Sequence, residues 1–302
     1  MAKPVPRREG STARTRSVGM GLEIRSDGWS GASLPVGLAG AGVRSPRSAG
    51  GSQAFCPAEM LALRRIGRYF FRMAGVKKLF LFDIDGTLLL TGRAGEHALR
   101  LAFQERFGVE DDLSSISFAG STDGAIARQM FGAHAIPPTP ENIADLFDGY
   151  AHHLALELPR REGKVLPGIV GLLEALHRRE DVVLGLLTGN IERGAELKLS
   201  HYGVWDFFEF GAFADDHVDR NKLGPVAHSR AVERHGISFE AKDVFVLGDT
   251  PKDIDCARAA GFVAVAISTG SCSEEELAAH QPDFLFGDLA DTQNVLQVLL
   301  GS

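Results

Sequence analysis

Five short apolar runs recur along the chain: Leu79–Phe82, Val182–Leu187, Val244–Leu247, Val263–Ile267 and the weaker Phe284–Phe286. Amphipathic stretches lie between them, at Ile169–Arg179, Glu192–Tyr202, Leu223–His235 and Pro251–Ala260. A run that is apolar at every position, not every second one, must be covered on both faces. Helical segments placed between such runs supply that cover. The pattern predicts an α/β fold, a parallel sheet with helices on both sides. In sheets of this kind ligands bind beyond the carboxyl ends of the strands. The polar residues that close each run are therefore the first candidates for chemistry.

One interval breaks the alternation. Between Leu90 and Val165 the sequence shows three helical patterns and no convincing strand: Glu96–Phe107, Asp123–Phe131 and Glu141–Leu158. The prolines of Ile136-Pro137-Pro138-Thr139-Pro140 separate the last two, because a helix does not run through them. Leu166-Pro167-Gly168 marks the return to the alternating pattern. The expected organisation is a Rossmann-like core from residues 77–95 and 164–302, with a helical cap of residues 96–163 inserted after the first strand.

Charge divides the chain elsewhere. Residues 1–78 hold 14 Lys and Arg against 4 Asp and Glu, a net of +10; the remainder holds 18 against 35, a net of −17, and the two sum to −7. In residues 1–55, 22 residues are Gly, Ser or Pro, which leaves little apolar surface to offset chain entropy. Residues 1–76 are expected to be a disordered leader. Three readings compete for it: an Arg- and Ser-rich targeting segment, a membrane-surface helix over Leu61–Met73, and an untranslated stretch preceding a start at Met73. The last needs no special explanation and is preferred. The acidic remainder disfavours nucleic acid or an anionic membrane as partner. Cys56, Cys256 and Cys272 form no CxxC pair, which fits a reducing, cytoplasmic setting. Oligomeric state is not legible.

The first run ends in Asp83-Ile84-Asp85-Gly86-Thr87. Two residues apart on extended backbone, Asp83 and Asp85 share one face, and Gly86 permits the turn that follows. Paired carboxylates at a strand end can supply a nucleophile and an acid/base. The plainer reading is an Asx turn. The second site-bearing run closes with Thr188-Gly189-Asn190, where a helix opening at Ile191 offers its N-terminus to an anion, or Asn190 caps that helix. Another ends Gly248-Asp249-Thr250-Pro251-Lys252-Asp253, in which Thr250, Pro251 and Asp253 also make a good helix start.

Phe82-Asp83-Ile84-Asp85-Gly86-Thr87-Leu88 resembles the first signature of the haloacid dehalogenase-like superfamily, and the remaining signatures follow in order over residues 77–302. The helical insertion resembles the cap of the phosphoglycolate phosphatase-like branch. The resemblance implies a phosphoric monoester hydrolase that acts through an aspartyl-phosphate. Asp83 is then the nucleophile and Asp85 the acid/base, while Thr188, Gly189, Asn190 and a lysine bind phosphate. Lys222 in Asp219-Arg220-Asn221-Lys222-Leu223 is the favoured cation and Arg220 the reserve, since the usual Lys-Pro pair is Lys-Leu here. Asp83, Asp85 through its backbone carbonyl, Asp249 and Asp253 hold the metal. Four carboxylates brought together repel one another unless a cation lies between them, and an all-oxygen set suits Mg²⁺.

Asp85 also separates reaction classes, since relatives that displace halide lack an aspartate there. Thr87 either orients Asp85 or caps the loop, with the second preferred. Substrate choice falls to the cap, where Ser121, Thr122 and Asp123 are the candidates, although Ser121 or Thr122 can equally cap a helix. His97, His134, His152 and His153 are read as surface or cap residues. The expected partner is a small phosphorylated metabolite. A phosphomutase on a sugar phosphate shares every motif, and a non-catalytic scaffold of the same fold is the remaining alternative.

Overall fold

The computed structural model describes residues 78–301. The expectations for residues 1–76, Met73 and Cys56 lie outside the described residues. The runs form strands with nearly the expected bounds: β1 Lys78–Phe82, β4 Val182–Leu187, β6 Val244–Gly248, β7 Val263–Ile267 and β8 Phe284–Phe286. With the short edge strand β5 (Gly211–Ala212) they make a six-stranded parallel sheet in the order β5-β4-β1-β6-β7-β8. β5 escapes a reading by pattern because two residues carry no period.

Alternate residues of β1 feed two separate cores, as a two-faced strand requires. Phe80 and Phe82 pack with Leu172, Leu176, Leu199 and Leu299. Those four come from α4 (Ile169–His177), α5 (Glu192–His201) and α9 (Thr292–Leu300). Leu79 and Leu81 pack with Leu223, Ala227, Ile254 and Leu277, from α6 (Leu223–His235), α7 (Pro251–Ala260) and α8 (Glu274–Ala279). α7 begins as its sequence predicts: Thr250 and Asp253 form a reciprocal capping box and Pro251 takes the first turn. Among the described residues no helix is long and apolar enough to cross a membrane.

The insertion carries α1 (Ala94–Phe107), α2 (Asp123–Ala133) and α3 (Pro140–Glu157). Their apolar stripes meet in a third core around Phe103, Met130, Phe131 and Leu154, which also takes in Ile191 and Ala214 from the sheet side. The expectation of no strand in this interval needs a correction. Leu89–Leu90 (β2) and Lys164–Val165 (β3) pair antiparallel, so the chain leaves for the helices and returns from them through one two-stranded ribbon.

β1 is the switch point of the sheet: the chain moves from it to β4 on one side and later to β6 on the other. Phe82 pairs with Leu186 of β4 and with Leu247 of β6. The three strands therefore end almost level, and Asp83, Thr188 and Asp249 emerge side by side at the roughly 4.8 Å strand spacing. Phe80 lies under this end, fully buried and stacked on Phe245 with centroids 4.8 Å apart. Replacing Phe80 by Ala should cost about 3–5 kcal/mol in urea unfolding. Val298→Ala, on the exposed side of α9, should stay within about 0.5 kcal/mol. Similar losses from both would contradict this packing.

Candidate active site

At the end of β1 the Asp83 amide donates the last ladder bond to the Leu247 carbonyl at 2.9 Å. The chain then turns on the Ile84 carbonyl, which accepts from the amides of Thr87, Leu88 and Leu89. Ile84 is buried in the core, and its two neighbours both line the cavity above the sheet. The expected shared face of Asp83 and Asp85 is thus realised. Gly86 sits at φ +85°, and a Cβ there would stand 2.3 Å from Oδ2 of Asp249. Both the turn and the close approach require glycine.

Asp83, Asp249 and Asp253 bring carboxylate oxygens within 4.8 Å of one another, all three residues buried. One cation answers them: buried Arg220 meets Asp83 Oδ1 at 2.9 Å and also pairs with Asp253. The remaining oxygen of Asp253 accepts from the Thr250 amide at 3.1 Å and the Thr250 hydroxyl at 2.6 Å. Asp253 is therefore both a helix cap and a charge partner. Thr87 neither orients Asp85 nor merely caps the loop. Its hydroxyl donates to Asp249 Oδ1 at 3.3 Å.

Three carboxylates against one guanidinium leave excess negative charge in a buried place. Burial, with Asp253 and Asp85 adding repulsion against the pull of Arg220, pushes Asp83 up to about 6. Burial, then Asp253 and Asp83, push Asp249 up to about 8. Burial also works against the charge of Arg220, yet Asp253 and Asp83 hold it protonated. The cluster fits a hard divalent cation: every donor is oxygen, the charge is unbalanced, and Gly86 and Gly270 cradle Asp249 where a Cβ would collide. The Asp85 carboxylate is not part of this group.

Asp85 belongs to a second station. Its Oδ2 accepts from Lys198 Nζ at 2.6 Å and from Asn190 Nδ2 at 2.9 Å. Asn190 also donates to Thr188 Oγ1 at 2.9 Å and accepts from Lys198 at 2.6 Å. Asn190 is thus not the cap of α5. The first amides of that helix go to carboxylates of the protein instead, Ile191 to Asp123 at 2.8 Å and Glu192 to Asp215 at 2.6 Å. The helix N-terminus expected to take an external anion is occupied by these side chains. Gly189 and Asn190 line the cavity, whereas Thr188 is fully buried and does not.

Lys222 needs the clearest correction. It is exposed, while Arg220 is buried at the cavity wall. The two lie in one 3₁₀ turn, Arg220–Lys222. At three residues per turn the two side chains point about 120° apart, so only one can face Asp83. Asp219 caps the turn through the Asn221 amide, and Arg220 is the residue turned toward Asp83.

Of the cap candidates, Ser121 and Asp123 line the cavity and Thr122 does not. The Thr122 hydroxyl accepts from the Ala125 amide and donates to the Val218 carbonyl, which leaves it structural. Ser121 donates to the Ser117 carbonyl and accepts from Lys252 Nζ at 2.7 Å. Asp123 bridges cap and core: its amide donates to Gly189 O at 2.6 Å while its carboxylate takes the Ile191 amide. Burial raises Asp123 to about 6. The cap loop lies so close that a Cβ on Gly189 would be 2.2 Å from the Ser121 carbonyl. None of the four cap histidines lines this cavity; His97, His134 and His153 pair with Glu157, Asp111 and Glu105.

The cavity measures about 430 Å³. Beyond the polar end its wall is Leu90, Leu99, Phe118, Ile126 and Tyr150. Lys198 was not singled out from sequence, although a signal exists. It falls on the buried stripe of α5 with Ala195 and Leu199, where an unpaired charge does not belong.

The "Probable phosphatase IndB" of Dickeya dadantii is 27% identical over 227 residues, 74% of this chain and 96% of that one. A phosphoglycolate phosphatase of Vibrio vulnificus is 26% identical over 230 residues, 73% of this chain and 96% of its own. The fold is shared with the crystal structure of a hydrolase from Pseudomonas syringae, with a TM-score of 0.58 at 20% identity over 74% of this chain and 99% of that one. The family of haloacid dehalogenase-like hydrolases matches residues 80–267, which include Asp83, Asp85, Thr188, Arg220, Asp249 and Asp253. With the match spanning every strand end that builds the site, the chain belongs to the haloacid dehalogenase-like hydrolase family.

Proposed function

We propose that this chain is a Mg²⁺-dependent phosphatase that hydrolyses a small phosphate monoester through an aspartyl-phosphate on Asp83. The observation that carries the reading is the division of four carboxylates into two stations at one switch point. Asp83 sits with Asp249, Asp253 and Arg220, while Asp85 is held apart from them. A nucleophile must stay anionic and an acid/base must carry a proton to a different atom, so the two tasks need different surroundings.

In the proposed reaction an Asp83 oxygen attacks phosphorus as the bond from phosphorus to the ester oxygen breaks. Asp85 gives its proton to the departing oxygen. Asp85, now a carboxylate, then takes a proton from the water that attacks the aspartyl-phosphate, and phosphate leaves. Arg220 pairs with phosphoryl oxygens while keeping Asp83 in place, and Gly189 and Asn190 form the opposite wall, with buried Thr188 behind them accepting from the Asn190 side-chain amide. Asp83, Asp249 and the Asp85 backbone carbonyl would hold Mg²⁺, with Asp253 acting through water. The ion supplies positive charge against the phosphoryl oxygens.

The leaving alcohol meets the apolar wall. Among the described residues the cations lining the cavity are all paired: Arg93 with Glu96, Lys198 with Asp85, and Arg220 with Asp83. An uncharged alcohol with an apolar face fits this surface better than a second anionic group. The phosphatases named above support the ester class and leave the alcohol open.

Phosphate release from a panel of small esters should require Mg²⁺, and Asp83→Asn should lower kcat by at least about 1,000-fold. Release unaffected by that change would remove Asp83 as nucleophile, and a product with phosphate on a second hydroxyl would instead indicate a mutase. Arg220→Ala should cost about 100-fold or more in kcat/KM, whereas Lys222→Ala should stay near wild type. The reverse ranking would restore Lys222.

Metal binding should also depend on pH. Because Asp83 and Asp249 titrate above the ordinary 3.8, the metal-free fold retains protons that the unfolded chain has already released. Its stability therefore falls as pH rises from about 4 through about 8. Metal binding displaces those protons, so Mg²⁺ should raise Tm more at about pH 8 than at about pH 5.5. Equal rises at the two values would count against the cluster as the metal site.

A further inference from the structure

Lys198 is the side chain in this site that the phosphatase reading leaves without a task. Its side chain is 5% exposed, and it stands on a helix face otherwise given to Ala195 and Leu199. Leucine or methionine would fill such a position without taking an ammonium out of water. A lysine is tolerated there only when its charge is matched. The match is close. Nζ lies 2.6 Å from Asp85 Oδ2 and 2.6 Å from Asn190 Oδ1, and Asn190 Nδ2 returns to the same Asp85 oxygen at 2.9 Å. The three side chains form a closed ring.

Helix geometry explains the reach. Lys198 follows Asn190 by eight residues, a little over two turns, and Cα–Cβ bonds tilt toward the helix N-terminus. The four-carbon stem therefore runs back along α5 to the loop where Asp85 sits. The cap closes over the end of it: a Cβ at Gly95 would stand 3.5 Å from Nζ and 3.5 Å from the Tyr150 hydroxyl.

We infer that Lys198, together with Asn190, is the positioning residue of the acid/base: it fixes Asp85 by Oδ2, keeps it off the metal cluster, and leaves Oδ1 for the departing oxygen. The inference rests on the phosphatase reading. Among the described residues Oδ1 takes no hydrogen bond, and the Asp85 side chain is 44% exposed, so without this ring the carboxylate is free to turn. Arg220 fixes Asp83 and Asp253 in the same way. Two buried cations thus sort the acids into nucleophile and proton donor.

The test uses the full chain with Mg²⁺ and two esters of similar size, 4-nitrophenyl phosphate and benzyl phosphate. The nitrophenolate departs without a proton, whereas the benzyl alkoxide needs one. Lys198→Met should lower kcat/KM for benzyl phosphate by about 100-fold and for 4-nitrophenyl phosphate by less than about 10-fold. Combined with Asp85→Asn it should add no further loss on benzyl phosphate. Lys198→Gln should show the same split and serves if the Met variant does not fold. Equal losses on both esters in a folded variant, or no loss on benzyl phosphate, would overturn the assignment and leave the phosphatase standing. A wild-type chain inactive on both esters and on the wider panel would overturn the two together.

Discussion

Carboxylates that must lie close together in a buried place repel one another, and the rest of this site is arranged around that repulsion. Burial and mutual charge hold Asp83 and Asp249 well above the ordinary carboxylate range. Such a cluster persists only with compensating positive charge. Arg220 supplies part of it from within the fold, bridging Asp83 and Asp253. What remains uncompensated is negative charge that a divalent cation could answer. The arrangement is costly to stability and useful for chemistry, a common balance where strained or charged groups are kept for function.

The sheet makes this clustering possible. Because β1 pairs with β4 and β6 in a register that ends all three strands together, residues more than a hundred positions apart in sequence emerge as neighbours. The cap then closes the space above them by direct bonds to the loop that follows β4. Asp123 takes the Ile191 amide and Ser121 leans on Gly189. Residues that looked like substrate selectors are thus partly engaged in holding the cap to the core. The rest of the cavity wall is the apolar surface of Leu90, Leu99, Phe118, Ile126 and Tyr150, which no motif marks.

Legibility in the sequence followed the local physics of each element. Strands buried on both faces announce themselves as apolar runs, and the bounds of α6 and α7 are readable because a stripe of small and apolar residues, the α7 capping box and the glycines that follow both helices act within a few residues. β2, β3 and β5 are two residues each and have no period to read. The Arg220–Lys222 turn hides its answer for a related reason. Two basic residues in a three-residue turn are equivalent by composition, and only the direction of the turn separates the buried one from the exposed one.

From sequence alone came the α/β class, the inserted helices, and the pairing of Asp83 with Asp85 on one face, since periods of two and 3.6 residues are properties of the backbone. Tertiary structure alone decided that Arg220 is the buried cation, that Thr122 is structural, and that Lys198 reaches Asp85. These outcomes depend on which way a side chain points relative to an element far away in sequence. No local pattern encodes that direction; packing sets it, and the charges then settle where partners are within reach.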